Sequence, residues 1–482
     1  MQINLSESRA MNKFEEKLDF SFHPSAVAVI GASDNPAKLG FHVLKSLVQG
    51  GFKGKIIPIN PGARQIMGLK AYPSILDYDG EIDLAIVVLP AKLVADIFSA
   101  CAAKGVKGIV LITAGFKEID DPAGTDLHEK IETIANIAGI PVIGPNTFGM
   151  INFHANLNAS FTPEFSRLKK GTIALASQSG GISHLLGFLA MRMNVGFSQI
   201  IGLGNRLNVG FAEIIDYLMN DADTRVIMLY MEGIDNPMQF LSAVKKHQHK
   251  KPVIIYKTGS AEKSNQAARS HTGSMAGKPE IYRGAFKQAG ILALNNAQAL
   301  LDTAKALALA EVPAGNGVAI LSGQAGPALA ACDICEACGL KIVSFEPRTQ
   351  ESINTYLPPL ALRTNPVDMG PAWYDAPAQS GIIQAAMNDH QVDAILLLIM
   401  FASANANLLQ ELAKFLSAAK QSKPIISCIL APPGIWDADI HHLEESGSLV
   451  NYPTPEQAAE ALANLVQYRS LQLQSTSDSK DM

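Results

Sequence analysis

Short apolar segments alternate with longer amphipathic stretches along most of the chain. Residues 26–30, 55–59, 84–89, 108–112 and 141–143 have the length and composition of buried strands, and helical periodicity fills 41–49 and 92–104 between them. That alternation predicts an α/β fold built on a doubly wound parallel sheet, with ligands outside the carboxyl ends of its strands. The pattern lapses at 154–170, where Pro163 and the pair Lys169 and Lys170 stand, and resumes from Gly171 with strands at 199–202, 225–231 and 252–256. A second lapse, VPAGNG at 312–317, precedes further strands at 318–321, 393–400 and 424–430 and a last helix at 455–468. The expected organisation is a mobile leader at 1–20 with a short helix near 11–18, domains at 21–152, 165–312 and 316–468, and a disordered polar tail at 469–482.

Each domain opens alike. A strand runs into a glycine-bearing turn and then a helix at Gly31, at Ser177 and at Ser322, which argues for three related domains rather than one large sheet. In the first, GASDNPAKLG (31–40) lets backbone approach a phosphate. The next helix offers free amides at its positive end, and Lys38 adds a full charge. The spacing is not G-x-G-x-x-G. Where a nicotinamide-binding sheet carries an acid after its second strand, this chain has Asn60 and Pro61, which counts against a dehydrogenase. ITAGF (112–116) and GPNTFG (144–149) suit a crevice floor or ordinary turns. In the second domain the amides of Ser179, Gly180 and Gly181, with the hydroxyls of Ser177 and Ser179, form a phosphate cradle at a helix start. His184, further along that helix, reads as a packed helix residue.

Residues 270–277, SHTGSMAG, follow the buried segment 252–257. Neighbours so small and polar build loops, so His271 is expected to be exposed. An exposed neutral imidazole can attack a phosphoryl group, act as a base, bind a metal or do nothing. Glu213 and Asp216 lie three apart on a helix whose apolar face is Phe211, Ile214, Ile215 and Leu218. A carboxylate on one imidazole nitrogen fixes the tautomer and frees the other to attack, although such an acidic pair is also the ordinary dress of a solvated helix face.

Composition narrows the classes. The 482 residues are 48% hydrophobic and 17% charged with a net charge of -5, so nothing basic argues for nucleic acid and no apolar run is long enough for a membrane span. The N-terminus lacks a signal-peptide core, from which a cytoplasmic address follows. Five cysteines make no disulfide framework. Cys332, Cys335 and Cys338 invite a metal reading, but spacing by three in an Ala-rich helix places them along one side with no fourth ligand nearby, and no metal site is assigned.

Taken in order, GASDNPAKLG, ITAGF, GPNTFG, SQSGG, GN with FAEIIDYL, YMEGI, SHTGSMAG and NPVD resemble the nucleoside-diphosphate-forming acyl-CoA synthetases, relatives of succinyl-CoA synthetase, and in particular the α subunits of ADP-forming acetyl-CoA synthetases. The resemblance covers residues 20–468, and SHTGS is its specific element. It implies a Rossmann-like CoA-binding domain followed by two flavodoxin-like ligase domains, and an acid–thiol ligase of the 6.2.1 class working through a phosphohistidine and an acyl phosphate. By resemblance His271 is the phosphohistidine, with Asp216 and Glu213 as its carboxylates. Ser177, Gln178, Ser179, Gly180 and Gly181 hold the phosphoryl group. CoA is held by Gly31, Ala32, Ser33 and Lys38, with Asn60, Pro61, Pro90, Thr113, Ala114 and Gly115 along the strand ends, and Asn146 and Thr147 line the carboxylate pocket. ATP, ADP and Mg²⁺ belong on a separate ATP-grasp β subunit, giving an α2β2 assembly. Thr147 and Phe148 stand where the family usually has Cys-Leu, Gly210 where an acid is common, and SGQAGP where NAGGPG is usual; such changes bear on which carboxylate fits. A non-catalytic CoA-sensing subunit and an NAD(P)-binding oxidoreductase are the rival readings, opposed by intact His271 with SQSGG and by Asn60 respectively.

Overall fold

The computed structural model describes residues 5–247, 250–259, 261, 263–264, 278–359, 362–418 and 423–478, with side chains from 14 to 474. The loop carrying His271 lies outside the described residues. The chain divides into two compact units, Met1–Ala297 and Gln298–Met482.

The first unit opens with helix α1 (Leu5–Phe22), followed by strand β1 (Ala26–Ile30), α2 (Leu39–Gln49), β2 (Lys55–Ile59), β3 (Leu84–Val87), α3 (Val94–Lys104), β4 (Gly108–Leu111), α4 (Pro122–Ala138) and β5 (Val142–Ile143). The strands pair in parallel in the order β2-β1-β3-β4-β5. With helices on both faces, β1, β3 and β4 are buried along their whole length, as their unbroken apolar runs require.

A short hairpin comes next, β6 (Gly149–Asn152) and β7 (Leu157–Ser160), turning through Asn156 at φ 51°. It does not extend the first sheet. β6 pairs antiparallel with β9 (Phe197–Gly202) of a second sheet, whose other strands are β8 (Lys170–Ser177), β10 (Val226–Met231), β11 (Val253–Lys257) and β12 (Leu292–Leu294). Its order is β12-β11-β10-β8-β9-β6-β7, and helices α5 (Gly180–Arg192), α6 (Phe211–Asn220) and α7 (Pro237–Lys246) connect its parallel strands. The second sheet therefore begins before residue 152. One continuous apolar core runs from Leu44 and Leu47 on α2 through Met150 and Leu157 on the hairpin to Ile214 and Leu218 on α6. Each such fully buried aliphatic side chain stabilises the fold by roughly 1.5–3 kcal/mol, so the hairpin fastens the two sheets to each other.

Two expectations about the chain ends are corrected. The stretch expected to be a mobile leader is the helix α1, with Leu18 and Phe22 buried, the Phe22 ring stacked at 4.2 Å on Tyr217 of α6, and Lys17 Nζ donating to the carbonyls of Ala138 and Gly139 at the end of α4. Phe14, Leu18 and Phe22 recur every four residues, which makes one apolar stripe among the charges. The last helix, Pro455–Asp478, continues past Tyr468 with Leu471 buried, because no Gly or Pro interrupts that stretch.

The second unit repeats the architecture. β13 (Gly317–Ser322) is central, flanked by β14 (Lys341–Ile342) and β16 (Ala394–Met400), with β17 (Ile425–Leu430) and β18 (Val450–Asn451) beyond; the short β15 (Val367–Asp368) also pairs with β13. Numbered within each sheet and leaving aside the short β15, the parallel strands of all three sheets follow the order 2-1-3-4-5. The glycine-bearing turn after strand 1 thus falls each time beside strand 3, at the point where connections diverge to opposite sides. Helix α8 (Ala325–Ala337) carries Cys332 and the buried Cys335, whose thiol burial pushes up to about 12, and it ends at exposed Cys338. Among the described residues no cluster of His, Cys, Asp or Glu is arranged to hold a metal ion. No helix among them is long and apolar enough to cross a membrane.

Candidate functional site

At the first divergence point the backbone itself shapes the crevice. Gly31 has φ 95°, and a Cβ there would sit 2.4 Å from the carbonyl oxygen of Val88; a Cβ on Gly40 would sit 2.0 Å from that of Gly31. Only glycine allows α2 to start against the end of β1, leaving the 31–38 loop to curl around a hollow at the helix start. Ser33 Oγ accepts from the Asn35 amide at 3.1 Å. Asn60 Nδ2 donates to the Ala32 carbonyl at 2.8 Å while Oδ1 accepts from the Gly62 amide at 2.8 Å. An ionised carboxylate has no proton to give Ala32, so the position where a dehydrogenase carries an acid here braces the loop. Thr113 Oγ1 donates to the Leu89 carbonyl at 2.7 Å, tying the third and fourth strand ends together.

At the second divergence point Ser177 Oγ donates to the Ser179 carbonyl at 2.9 Å and accepts from the Ser179 amide at 3.1 Å, closing a tight turn. Ser179 then caps α5, its Oγ accepting from the Ile182 amide at 3.4 Å. The Gln178 side chain crosses to the neighbouring strand end, where its Oε1 accepts from the amides of Glu232 and Gly233 at 2.5 and 3.1 Å. Lys257, at the end of β11, donates from Nζ to the carbonyls of Glu232 and Thr258 at 2.7 and 2.6 Å. Burial lowers its pKa, against the opposing pull of Glu232. Burial likewise pushes the Tyr230 hydroxyl up to about 12, so it stays a proton donor at neutral pH, 3.0 Å from Thr258 Oγ1.

These two points open into one cavity of about 1210 Å³. Of the residues expected to hold coenzyme it is lined by all but Gly115, and of the expected phosphate turn by all but the fully buried Ser177. Gly115 instead turns its amide toward Glu118 Oε1, at 2.5 Å. Asn146 and Thr147 also line the cavity, but the Thr147 hydroxyl is spent on structure, donating to the Gly202 carbonyl at 2.6 Å and accepting from the Gly149 amide at 3.0 Å. Phe148, from the loop read as crevice floor or an ordinary turn, completes this end of the wall with two aromatic rings that sequence reasoning left out of the pocket, Phe161 and His184. His184 Nδ1 donates to the Gly180 carbonyl at 2.7 Å and Nε2 meets Thr162 Oγ1 at 2.8 Å, so both polar edges are engaged and the ring packs among phenylalanines.

The acidic pair lies elsewhere. Asp216 and Glu213 line a separate cavity of about 420 Å³ beside α1. Asp216 Oδ1 is 2.6 Å from His247 Nε2 and 3.2 Å from Lys246 Nζ. Glu213 accepts from the Gly210 amide at 2.8 Å, capping α6, and from Gln239 Nε2 at 2.8 Å. The pair was expected to serve His271, whose loop lies outside the described residues; helix α6 turns both carboxylates toward α1 and α7, away from the phosphate turn. The acidic residue whose backbone is tied to the turn is Glu232, its amide donating to Gln178 Oε1; its signal was the small-residue end of a buried strand, YMEGI.

Geometry thus defines an α/β protein in which the glycine-bearing turns after β1 and β8, each at a helix start, share one chamber. A CoA binding domain model matches residues 25–152, and a model of the succinyl-CoA ligase like flavodoxin domain matches 170–307. The alpha subunit of acetate–CoA ligase [ADP-forming] II from Pyrococcus furiosus is 37% identical over 461 residues, covering 93% of this chain and 97% of that one. The acetate–CoA ligase [ADP-forming] of Methanocaldococcus jannaschii is 38% identical over 73% of this chain, but the match spans only 49% of that longer protein. Among solved structures, acetyl-coenzyme A synthetase 1 of Ca. Korarchaeum cryptofilum, in complex with phosphate and ADP, superposes with a TM-score of 0.87 at 32% identity, covering 96% of this chain and 98% of that one. The chain belongs to the ADP-forming acyl-CoA ligase family, in the form of its alpha subunits.

Proposed function

We propose that this chain is the CoA-binding, phosphoryl-carrying subunit of a reversible ligase that joins a small carboxylate to CoA as ATP becomes ADP and phosphate. One observation carries the reading: the coenzyme crevice and the α5 turn share a chamber. In the acyl-CoA-forming direction His271 takes the γ-phosphoryl group of ATP on a partner subunit, where Mg²⁺ offsets the phosphate charge, and ADP departs. A carboxylate oxygen then attacks phosphorus, the bond to the imidazole nitrogen breaks, and the phosphoryl oxygens of the new acyl phosphate rest on the amides of Gly180 and Gly181, the Ser179 amide being held by Ser177 Oγ. CoA, with its phosphates at residues 31–38, brings its sulfur to the acyl carbon, and phosphate leaves. Splitting the condensation into transfers between activated species lowers each barrier.

The position of β11 supports this role for His271, since that strand delivers the chain to the sheet edge where the α5 turn sits. At this edge Glu232, rather than Asp216, is the carboxylate we assign to orient the imidazole. The relatives named as alpha subunits support a partner, which we assign as an ATP-grasp β subunit in an α2β2 complex in the cytoplasm. The test is to incubate the assembled complex with Mg²⁺ and ATP labelled at the γ position. Label on this chain, acid-labile and base-stable, is expected and should vanish in His271→Ala with CoA binding retained; label that persists in that variant removes His271 from the scheme.

A further inference from the structure

Gln178 carries an unmet demand. It is 7% exposed, it lines the chamber at the foot of α5, and its Nε2 has no hydrogen-bond partner among the described residues. The amide cannot be turned over to relieve this. Oε1 accepts from two backbone amides, Glu232 N and Gly233 N, and a flipped side chain would set its NH₂ against both of those donors. The orientation is fixed, and a buried amide that offers two protons to nothing is destabilising unless a ligand accepts them.

We infer that the Gln178 side-chain amide is a preset donor to an oxygen of the phosphoryl group, acting with the free amides at the start of α5 as the element that selects an anionic tetrahedral group there. This rests on the ligase reading and adds a side-chain contact to its backbone cradle. A donor-only edge favours phosphate oxygens, which accept, over any group that must itself donate. The two amides that hold Oε1 belong to Glu232 and Gly233, and Lys257 Nζ donates to the Glu232 carbonyl, so binding at the turn is mechanically tied to the edge from which the His271 loop departs.

The discriminating variant is Gln178→Glu. It keeps an oxygen for the Glu232 and Gly233 amides and changes only the orphan edge, from donor to acceptor. In the complex with its partner subunit, run from acyl-CoA, ADP and inorganic phosphate, the variant should raise KM for phosphate by about tenfold or more at pH 8 and leave KM for acyl-CoA within about twofold. Relative to the parent enzyme at each pH, the deficit should shrink as pH falls, because a protonated carboxyl regains the donor. Isothermal titration of the full chain with inorganic phosphate gives the same comparison without turnover. If Gln178→Glu does not fold, Gln178→Met should show the loss with no recovery at low pH. Unchanged phosphate affinity in the variant, or equal rises in both KM values, overturns the inference while leaving the ligase reading intact. A parent chain that binds no phosphate and supports no turnover overturns both.

Discussion

The turns after β8 and β13 are built on one backbone plan and differ in their side chains. In each, the serine ending strand 1 donates to the carbonyl two residues on, Ser177 to Ser179 at 2.9 Å and Ser322 to Gln324 at 2.6 Å, and accepts that residue's amide in return. In each, the next amide reaches a carbonyl of strand 3, Gln178 to Tyr230 at 3.2 Å and Gly323 to Leu398 at 2.9 Å. There the likeness stops. The first turn has a capping serine, a cross-linking glutamine and the acid Glu232 beyond strand 3. The second has Gly323 facing Trp373, a helix with no side-chain cap, and Met400 at the register position of the acid. Fold supplies a cradle shape; chemistry depends on what the neighbouring strand end contributes.

The largest expected effect tests that last point. Glu232→Gln should slow phosphoryl transfer to this chain by about 100-fold, some 2.7 kcal/mol at 1.36 kcal/mol per decade, as measured by single-turnover labelling. Asp216→Asn should stay within about threefold of the parent, and because an asparagine oxygen can still accept from the mostly buried His247 and the exposed Lys246, it should cost about 1 kcal/mol of stability. Equal losses in the two variants would restore Asp216 to the mechanism.

An intermediate effect comes from exchanging turn residues. Gln178→Gly should weaken phosphate binding by about tenfold, since it removes both the donor and the tie to Glu232. Gly323→Gln should add no phosphate binding, because nothing beyond β16 offers the paired amides that would orient the new side chain. Titration with phosphate reads both. A gain of affinity at the second turn would mean that the glutamine alone makes the site.

How far the sequence discloses this depends on the kind of fact. Parallel strands fully buried on both faces leave unbroken apolar runs, so β1, β3, β4 and the turn at Gly31 are plain, and Asn60 is visible as a missing acid. The hairpin β6–β7 is not, since two four-residue strands around a left-handed Asn156 leave no alternation long enough to read. Direction is harder still. Glu213 and Asp216 have the right chemistry on the right helix, yet only tertiary packing decides that they turn to α1 and α7, and Thr147 lies in the right loop with its hydroxyl turned inward. Gln178 was visible as part of SQSGG, but its orphaned amide depends on Glu232 and Gly233, more than fifty residues away in the chain.

The smallest effect separates shape from function at both turns together. Ser177 and Ser322 are fully buried, and each makes the same pair of hydrogen bonds. Replacing either with alanine removes both bonds and strands one amide and one carbonyl, so Ser177→Ala and Ser322→Ala should each cost about 1–3 kcal/mol. In thermal unfolding this is a fall of about 2–4 °C per kcal/mol for a body of this size. Similar losses are expected because the backbone plan is shared. Phosphate affinity should then divide the two: Ser177→Ala loosens the turn that presents the amides of Gly180 and Gly181 and weakens binding severalfold, while Ser322→Ala leaves it at the parent value. Were Ser322→Ala to weaken phosphate binding as much as Ser177→Ala, the second turn would itself be a phosphate site, and bare backbone shape would suffice where we assign the work to Gln178 and Glu232.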